Sequence, residues 1–176
     1  MPERTAEKKG YTQNFDGYTF NLERASLYLL SIILADKELK QLYAKYDLSH
    51  MEPFLEDIKE TGILHLLVEI ATHYRLMEWN VRKDWKSKRY KTEYVGSLEI
   101  ENRKVEIDLS MKEACNKIIH ANKIDFDVSK LRGKPYHYFN PFIYVYGQKG
   151  KQKWKANIDL VLFCNAANQE LESIFD

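Results

Sequence analysis

The sequence contains little glycine, proline or cysteine and has no excess of either charge. Seven glycines and four prolines among 176 residues exclude a collagen-like or low-complexity chain. Lysine plus arginine total 27 and aspartate plus glutamate total 26, so the formal net charge is only +1. A protein that binds polyanions over its whole surface is more basic than this. Any nucleic-acid contact must therefore come from local patches.

Long apolar runs are absent too. The longest, around Leu27 to Ala35, is interrupted by Ser31 and falls well short of the roughly 18 residues of a membrane span. Residues 1–13 are polar and basic with no apolar segment after them, which does not match a secretory signal. We expect a cytoplasmic protein with no membrane partner.

The two cysteines, Cys115 and Cys164, lie in segments with a helical pattern and do not form a CxxC motif. We expect two reduced, packed thiols. A structural zinc site needs more ligands than these two thiols. We expect no metal and no other cofactor. The nucleotide-binding motifs GxGxxG and GxxxxGK[ST] are missing, and so are the hydrolase motifs GxSxG and HExxH. The sequence therefore does not indicate any of the common nucleotide-binding or hydrolase folds that carry these motifs.

Apolar residues at helical spacing predict a helix-rich first half. One helix runs from Asn21, its predicted cap, to about Tyr46, with Asp36 as a candidate break. A short helix ends near Glu60, Gly62 marks a boundary, and a second long helix covers 63–79.

The second half alternates apolar and polar residues and is rich in β-branched and aromatic side chains, which predicts strands. The predicted strands are 98–100, 105–109, 124–128, 136–146 and 152–156. Pro141 is expected to confine its strand to a sheet edge or to split it. A short helix is predicted from Met111 to Ala121, and a last helix after a cap at Asn157.

The fold class is therefore α+β: a helix-rich N-terminal half, then a small antiparallel β-sheet of hairpins with a short motif helix and a C-terminal helix. The length fits a single domain, 1–176. Within it we distinguish a polar N-terminal arm (1–15), a helical part (20–80), a basic connection (82–95) and an α+β part (96–176).

The short helix after Leu109 carries the most specific pattern. Ser110 and Glu113 have capping-box spacing. Asn116 and His120 lie four residues apart, so both point to the same side of the helix. Such a pair can hold a phosphate or orient a proton transfer, and histidine titrates near neutral pH. The alternative is structural, with both side chains satisfying buried backbone groups beside the strands.

The segment ACNKIIHA, which ends at Ala121, resembles a recurrent element of bacterial and prophage proteins. In those, as here, it follows a strand that ends in Leu-Ser. Later stretches around Asn140–Gly147 and Trp154–Ala156 are similar as well. The resemblance covers Leu98 to Glu172 and implies no particular activity.

Segment 115–120 (CNKIIH) also resembles the motif of the HEPN superfamily, which comprises helical ribonucleases and nucleic-acid-associated domains. That motif is an Arg, often followed by Asn, and a His after four to six intervening residues. The resemblance implies that His120 is the acid–base or phosphate-contacting group and Asn116 its polar partner. The sequence departs at the Arg position, where Cys115 cannot replace a permanent planar cation. Arg75, on the preceding long helix, is the candidate to supply that charge. HEPN domains are all-helical, whereas this motif is predicted to lie between strands.

A second candidate, His65, Glu69 and His73, combines metal-ligating residues at i, i+4 and i+8 on one helix. Three ligands over two turns converge poorly on one ion, so His120 or His137 would have to join two of them. The alternative is the polar side of an amphipathic helix.

Two clusters of cations complete the pattern. The first consists of Arg82, Lys83, Lys86, Lys88, Arg89 and Lys91, interleaved with Trp79, Trp85, Tyr90 and Tyr94. The second consists of Lys149, Lys151, Lys153 and Lys155, which strand alternation is expected to place on one face opposite Trp154. Cations contact phosphates and aromatic rings stack on unpaired bases. Solvated charge runs and protection of sheet edges are the structural alternatives.

The sequence thus predicts a nucleic-acid-associated protein of a bacterial or phage system, with RNA or a single strand as partner and HEPN-like ribonuclease activity as the enzymatic form. The alternative is a non-enzymatic scaffold that binds a protein partner, or a second copy, through the aromatic hairpin 136–154.

Overall fold

Two long helices make up the first half of the described chain. The computed structural model describes residues 16–48, 50, 52–81, 93–101 and 106–175; within these ranges the side chains of 16–20, 52, 54, 55, 58, 79–81 and 170–175 are left out of the description. Helix α1 spans Asp16–Tyr46 and helix α2 spans Glu52–Val81. The short connection between them makes the two helices run in opposite directions.

Both helices are less interrupted than the sequence predicts. Asp36 lies inside α1 and Gly62 inside α2, so neither ends a helix, and α1 begins ahead of the predicted cap Asn21. A glycine in a helix interior costs about 0.5–1 kcal/mol relative to alanine, which the packing of a long helix outweighs. α1 ends at Tyr46, and the next residue, Asp47, has a left-handed φ of 52°.

The second half forms one five-stranded antiparallel sheet with the strand order β2-β1-β5-β4-β3. Its elements in chain order are β1 Tyr94–Ile100, β2 Ile107–Ser110, α3 Met111–Ile119, β3 Lys123–Lys130, β4 His137–Lys149, β5 Gln152–Asp159 and α4 Leu160–Phe175. The prediction of an α+β fold with a helix-rich first half is confirmed. No helix in the described ranges combines the length and apolar character needed to cross a bilayer.

One face of the sheet packs against the helices. Ile143, Val145, Ala156 and Ile158 of the central strands are fully buried in a single core that also contains the inner faces of all four helices. Alternate residues of the same strands point to the opposite face, where Lys155 is half-buried. All four helices therefore lie on one side of the sheet: α1, α3 and α4 contact the strands, and α2 packs on these three helices.

Pro141 does not split its strand, and that strand is an inner one, but at Pro141 itself the position is locally that of an edge. β4 runs unbroken between β5 and β3. Its pairing with β3 skips between Phe126 and Val128, and its pairing with β5 ends at Phe142. The missing N–H of Pro141 therefore falls where neither neighbour needs it.

The last helix begins later than predicted. Ile158 continues β5 into the core, and the helix starts at Leu160. Its cap is Asp159 rather than Asn157, because the Asp159 carboxylate accepts the backbone N–H groups of Val161 at 2.8 Å and Leu162 at 3.1 Å.

Helix α3 carries the chain from one edge of the sheet to the other. It leaves β2 and enters β3, the two edge strands. Five strands are about 19 Å wide and a nine-residue helix is about 14 Å long, so α3 covers most of that width. Ser110 caps it, as predicted, by accepting the N–H of Glu113 at 3.3 Å. At its exit, the N–H of Asn122 donates to the carbonyl of Tyr146 at 2.8 Å.

A buried ion pair joins α1, α2 and the sheet. One oxygen of the fully buried Asp36 carboxylate accepts the backbone N–H of Phe139 on β4 at 2.9 Å. The other oxygen pairs with the Lys59 ammonium on α2. Next to it, the fully buried Lys40 pairs with Glu56 at 2.5 Å. A helix-interior aspartate thus becomes the point where three elements meet.

We expect Asp36→Ala to destabilise the fold by about 3–5 kcal/mol, because it leaves the Lys59 ammonium and the Phe139 N–H without their shared partner. Urea unfolding measures this. Glu38→Ala, which removes an exposed carboxylate from the same helix, is the control and should change the free energy of unfolding by less than about 0.5 kcal/mol. Equal losses in the two variants would contradict the assigned role.

Candidate functional site

A pocket of about 430 Å³ opens between the end of α3 and the tip of the β4–β5 hairpin. We call it the α3–hairpin pocket. Its lining residues are Glu113, Asn116, Lys117, His120, Gln148, Lys149 and Trp154. The four from α3 are spaced i, i+3, i+4 and i+7, which is one face of a helix. Helical spacing alone could have added Glu113 and Lys117 to the predicted pair. The hairpin residues Gln148, Lys149 and Trp154 are brought to α3 by the tertiary structure, which helical spacing does not reveal.

Trp154 closes one side of the pocket and positions Lys117. Its indole is 8% exposed, and the Lys117 ammonium lies 4.4 Å from the ring centroid. The same ammonium lies 3.1 Å from a Glu113 carboxylate oxygen. The ring also lies against Gly147, directly opposite on β4, where an added Cβ would come within 2.7 Å of its Cε2. Trp154 therefore orders the pocket and offers little surface for stacking on a base.

The electrostatics of the pocket favour an anion. Burial acts to raise the pKa of Glu113, but Lys117, Asn116 and Lys149 together outweigh it and hold the pKa of that carboxyl below its ordinary value. The carboxylate is therefore ionised at neutral pH. Two lysines against one glutamate leave the lining one net positive charge with His120 neutral. This potential comes from side chains, because the C-terminal end of α3 presents carbonyls.

Asn116 and His120 face the same pocket, as their spacing predicts. His120 occupies the C-cap of α3, where its backbone N–H donates to the carbonyl of Asn116 at 3.1 Å, and its side chain is exposed. The half-buried Asn116 amide lies 3.5 Å from Glu113. An exposed imidazole has no buried backbone group to satisfy, and it is accessible to a ligand in the pocket.

Arg75 is placed elsewhere. Its guanidinium pairs with Glu78, which also binds the Lys112 ammonium at 2.5 Å. Lys112 lies at the beginning of α3, whereas His120 lies at its end. The structure brings Asn116 and His120 together and keeps Arg75 out of the α3–hairpin pocket.

The hairpin lysines do not share one face, and that prediction is wrong. Lys149 pairs with Gln152 just as Gly147 pairs with Trp154, so Lys149 lies on the Trp154 side. Lys153 and Lys155 alternate to the opposite side, and Lys151 lies in the turn. The prediction carried strand alternation straight through a turn that reverses the chain. On that opposite side of the sheet, the Lys155 ammonium lies 3.4 Å from a Glu99 carboxylate oxygen.

Residues 82–92 of the basic connection predicted at 82–95 lie outside the described residues, and its last two residues belong to β1. Residues 82–92 include Arg82, Lys83, Lys86, Lys88, Arg89 and Lys91. Of the aromatic residues interleaved with them, the side chain of Tyr94 is described and is 56% exposed at the start of β1. The polar arm 1–15 also lies outside.

The remaining candidates are placed as follows. His65 is exposed on α2, while Glu69 and His73 are half-buried. Within the described ranges, no three His, Cys, Asp or Glu side chains come close enough to hold a metal ion. Cys115 and Cys164 are buried on α3 and α4 and are not joined in a disulfide. Burial raises the pKa of Cys164 to about 12, so this thiol is a poor nucleophile.

No family model, curated protein or solved structure matches this chain. The chemistry of the α3–hairpin pocket therefore has to be derived from its own residues.

Gly147→Ala tests how the pocket is built. The added methyl should displace the Trp154 indole, lower the free energy of unfolding by about 1–3 kcal/mol and change the tryptophan emission. Gly62→Ala is the control, because its Cβ meets nothing within 4 Å, and it should stabilise α2 by up to about 1 kcal/mol. Unchanged emission in Gly147→Ala would contradict the arrangement.

Proposed function

We propose that the protein binds nucleic acid by contacting backbone phosphates in the α3–hairpin pocket. The observation that carries this proposal is the convergence of Lys117 and Lys149 with the Asn116, Gln148 and His120 side chains in one pocket. Ammonium and amide groups are the common donors to phosphate oxygens, and charge-assisted hydrogen bonds are the stronger ones. A single strand or RNA is the partner class that the sequence favours.

The cation at the centre of the pocket is held in place before any ligand arrives. Lys117 is fixed from two directions, by the Trp154 ring and by the Glu113 carboxylate. A phosphate entering the pocket replaces Glu113 as the partner of the ammonium, so less side-chain freedom is lost on binding. Glu113 competes with the ligand and thereby limits the affinity.

The exposed His120 supports an enzymatic extension of the proposal, RNA cleavage of the HEPN-like kind. Its imidazole lies in the same pocket as the cations that would hold the scissile phosphate. There it can accept a proton from an attacking hydroxyl or donate one to the leaving oxygen. Arg75 has no part in this extension, because it pairs with Glu78 near the beginning of α3.

The aromatic hairpin offers less surface to a protein partner than its sequence indicates. Tyr136, Phe139 and Trp154 are each less than a tenth exposed and cannot serve as contact anchors. Phe142 is 37% exposed, and the remaining tyrosine rings of the hairpin are half-buried. We also extend the proposal to the cations of the basic connection 82–95 as further phosphate contacts. The proposed location is the cytoplasm of a bacterial or phage-infected cell, where buried thiols stay reduced.

Binding of a single-stranded RNA oligonucleotide across a salt series tests the proposal. Each lost phosphate contact should flatten the slope of log affinity against log salt by about 0.7. The slope of the Lys117→Ala/Lys149→Ala variant should therefore be shallower than that of the wild type by about 1.4. Glu113→Gln should bind more tightly than the wild type, because it removes the competing carboxylate. Lys123→Ala, which deletes an exposed lysine of β3, is the matched control. Equal slopes in all four proteins, or no binding at low salt, would overturn the proposal.

The enzymatic extension is tested on the same RNA without added metal. His120→Ala should lower the cleavage rate by about 10²–10⁴-fold and keep its affinity within a few fold, because general acid–base catalysis acts on the reaction step. Circular dichroism and urea unfolding check that the variant is folded. Cleavage that survives in a folded His120→Ala, or no cleavage by the wild type, would refute ribonuclease activity while leaving the binding proposal intact.

A further inference from the structure

A second cationic groove lies at the opposite end of β4 from the α3–hairpin pocket. It has a volume of about 370 Å³ and forms where the last turns of α1 meet the turn between β3 and β4. We call it the α1–turn groove. Its lining residues are Gln41, Ala44, Lys45, Leu131, Arg132 and Lys134. The thirteen residues of β4 separate the two sites by about 40 Å.

The turn that presents two of these cations is well fixed. The N–H of Leu131 donates to the carbonyl of Tyr136 at 2.9 Å, and the N–H of Lys134 donates to the carbonyl of Leu131 at 3.1 Å. Gly133 adopts the left-handed φ of 72° that this reversal requires. Tyr136 is 6% exposed and anchors the turn in the protein. Arg132 and Lys134 therefore project from a defined backbone.

The charge of the α1–turn groove is unbalanced. Its lining contains three cations and no carboxylate, and none of the carboxylates described by the structure forms an ion pair with them. Other lysines of the fold are ion-paired, such as Lys59 with Asp36 and Lys123 with Asp125.

Only one of the three cations has a local structural reason to be there. Lys45 lies in the last turn of α1, where a cation is favoured by the helix dipole. Arg132 and Lys134 lie on the turn and bring further positive charge to the same space, where like charges repel. An anion in the groove would remove that repulsion.

We propose that the α1–turn groove binds a phosphate group, presented either by a nucleic-acid backbone or by a free polyphosphate. The guanidinium of Arg132 can bind two phosphate oxygens at once, Lys45 and Lys134 supply point charges, and the Gln41 amide supplies a neutral donor. This inference goes beyond the proposed function, because it involves different residues and stands even if the α3–hairpin pocket binds nothing.

The test follows backbone amide resonances of the isotope-labelled full chain during titration with inorganic pyrophosphate and, separately, with single-stranded RNA. We expect pyrophosphate to shift the amides of Gln41, Lys45 and Lys134. Arg132→Ala/Lys134→Ala should abolish those shifts. Lys130→Ala, which removes an exposed lysine that does not line the groove, should preserve them and is the matched control.

The RNA titration distinguishes the two sources of phosphate. If nucleic acid is the ligand, RNA shifts the same amides and Arg132→Ala/Lys134→Ala flattens its salt slope by about 1.4. Shifts with pyrophosphate alone assign the groove to free polyphosphates. Groove shifts that persist in Lys117→Ala/Lys149→Ala separate this inference from the proposed function. The absence of groove shifts with both probes at low salt, or shifts confined to the surroundings of Lys149, would overturn it.

Discussion

The Asp36 carboxylate joins both long helices to the sheet from inside the core. Taking an ionised carboxylate out of water is expensive unless all its neighbours are in place. Here those neighbours are the Lys59 ammonium of α2 and the Phe139 N–H of β4. Their positions fix how α1 lies against the sheet and how α2 lies against α1. Because Phe139 and Lys149 belong to the same strand, fixing one end of β4 also determines where the hairpin tip meets α3.

The α3–hairpin pocket forms where α3, which crosses the sheet, meets the tip of the hairpin of two inner strands. α3 carries Asn116, Lys117 and His120 from one edge strand towards the other, and the β4–β5 hairpin extends Lys149 and Trp154 to meet them. No short stretch of sequence contains the whole site. What links the two parts is the ring of Trp154, which holds the Lys117 ammonium from the hairpin side.

Features set by neighbours in sequence could be predicted, and features set by distant contacts could not. The Ser110 cap and the shared face of Asn116 and His120 depend on spacings of three and four residues, which the sequence displays directly. Asp36 looks like a helix break because its partner on β4 is 103 residues away. The side of the sheet that Lys149 occupies depends on the length of the hairpin turn, so an error there reverses its face.

A chain of nearly zero net charge produces local positive potential through the placement of its carboxylates. With 27 cations against 26 anions there is no surplus to concentrate. Instead, carboxylates form ion pairs that join secondary-structure elements, as in Asp36 with Lys59 and Glu78 with Lys112. Among the residues that line the two sites at the ends of β4, Glu113 is the single carboxylate. Salt screens the interaction between exposed charges that are more than about 10 Å apart, so the cations at each end of β4 act only on their own surroundings. The near-zero net charge of the whole protein therefore does not prevent either end from attracting a phosphate.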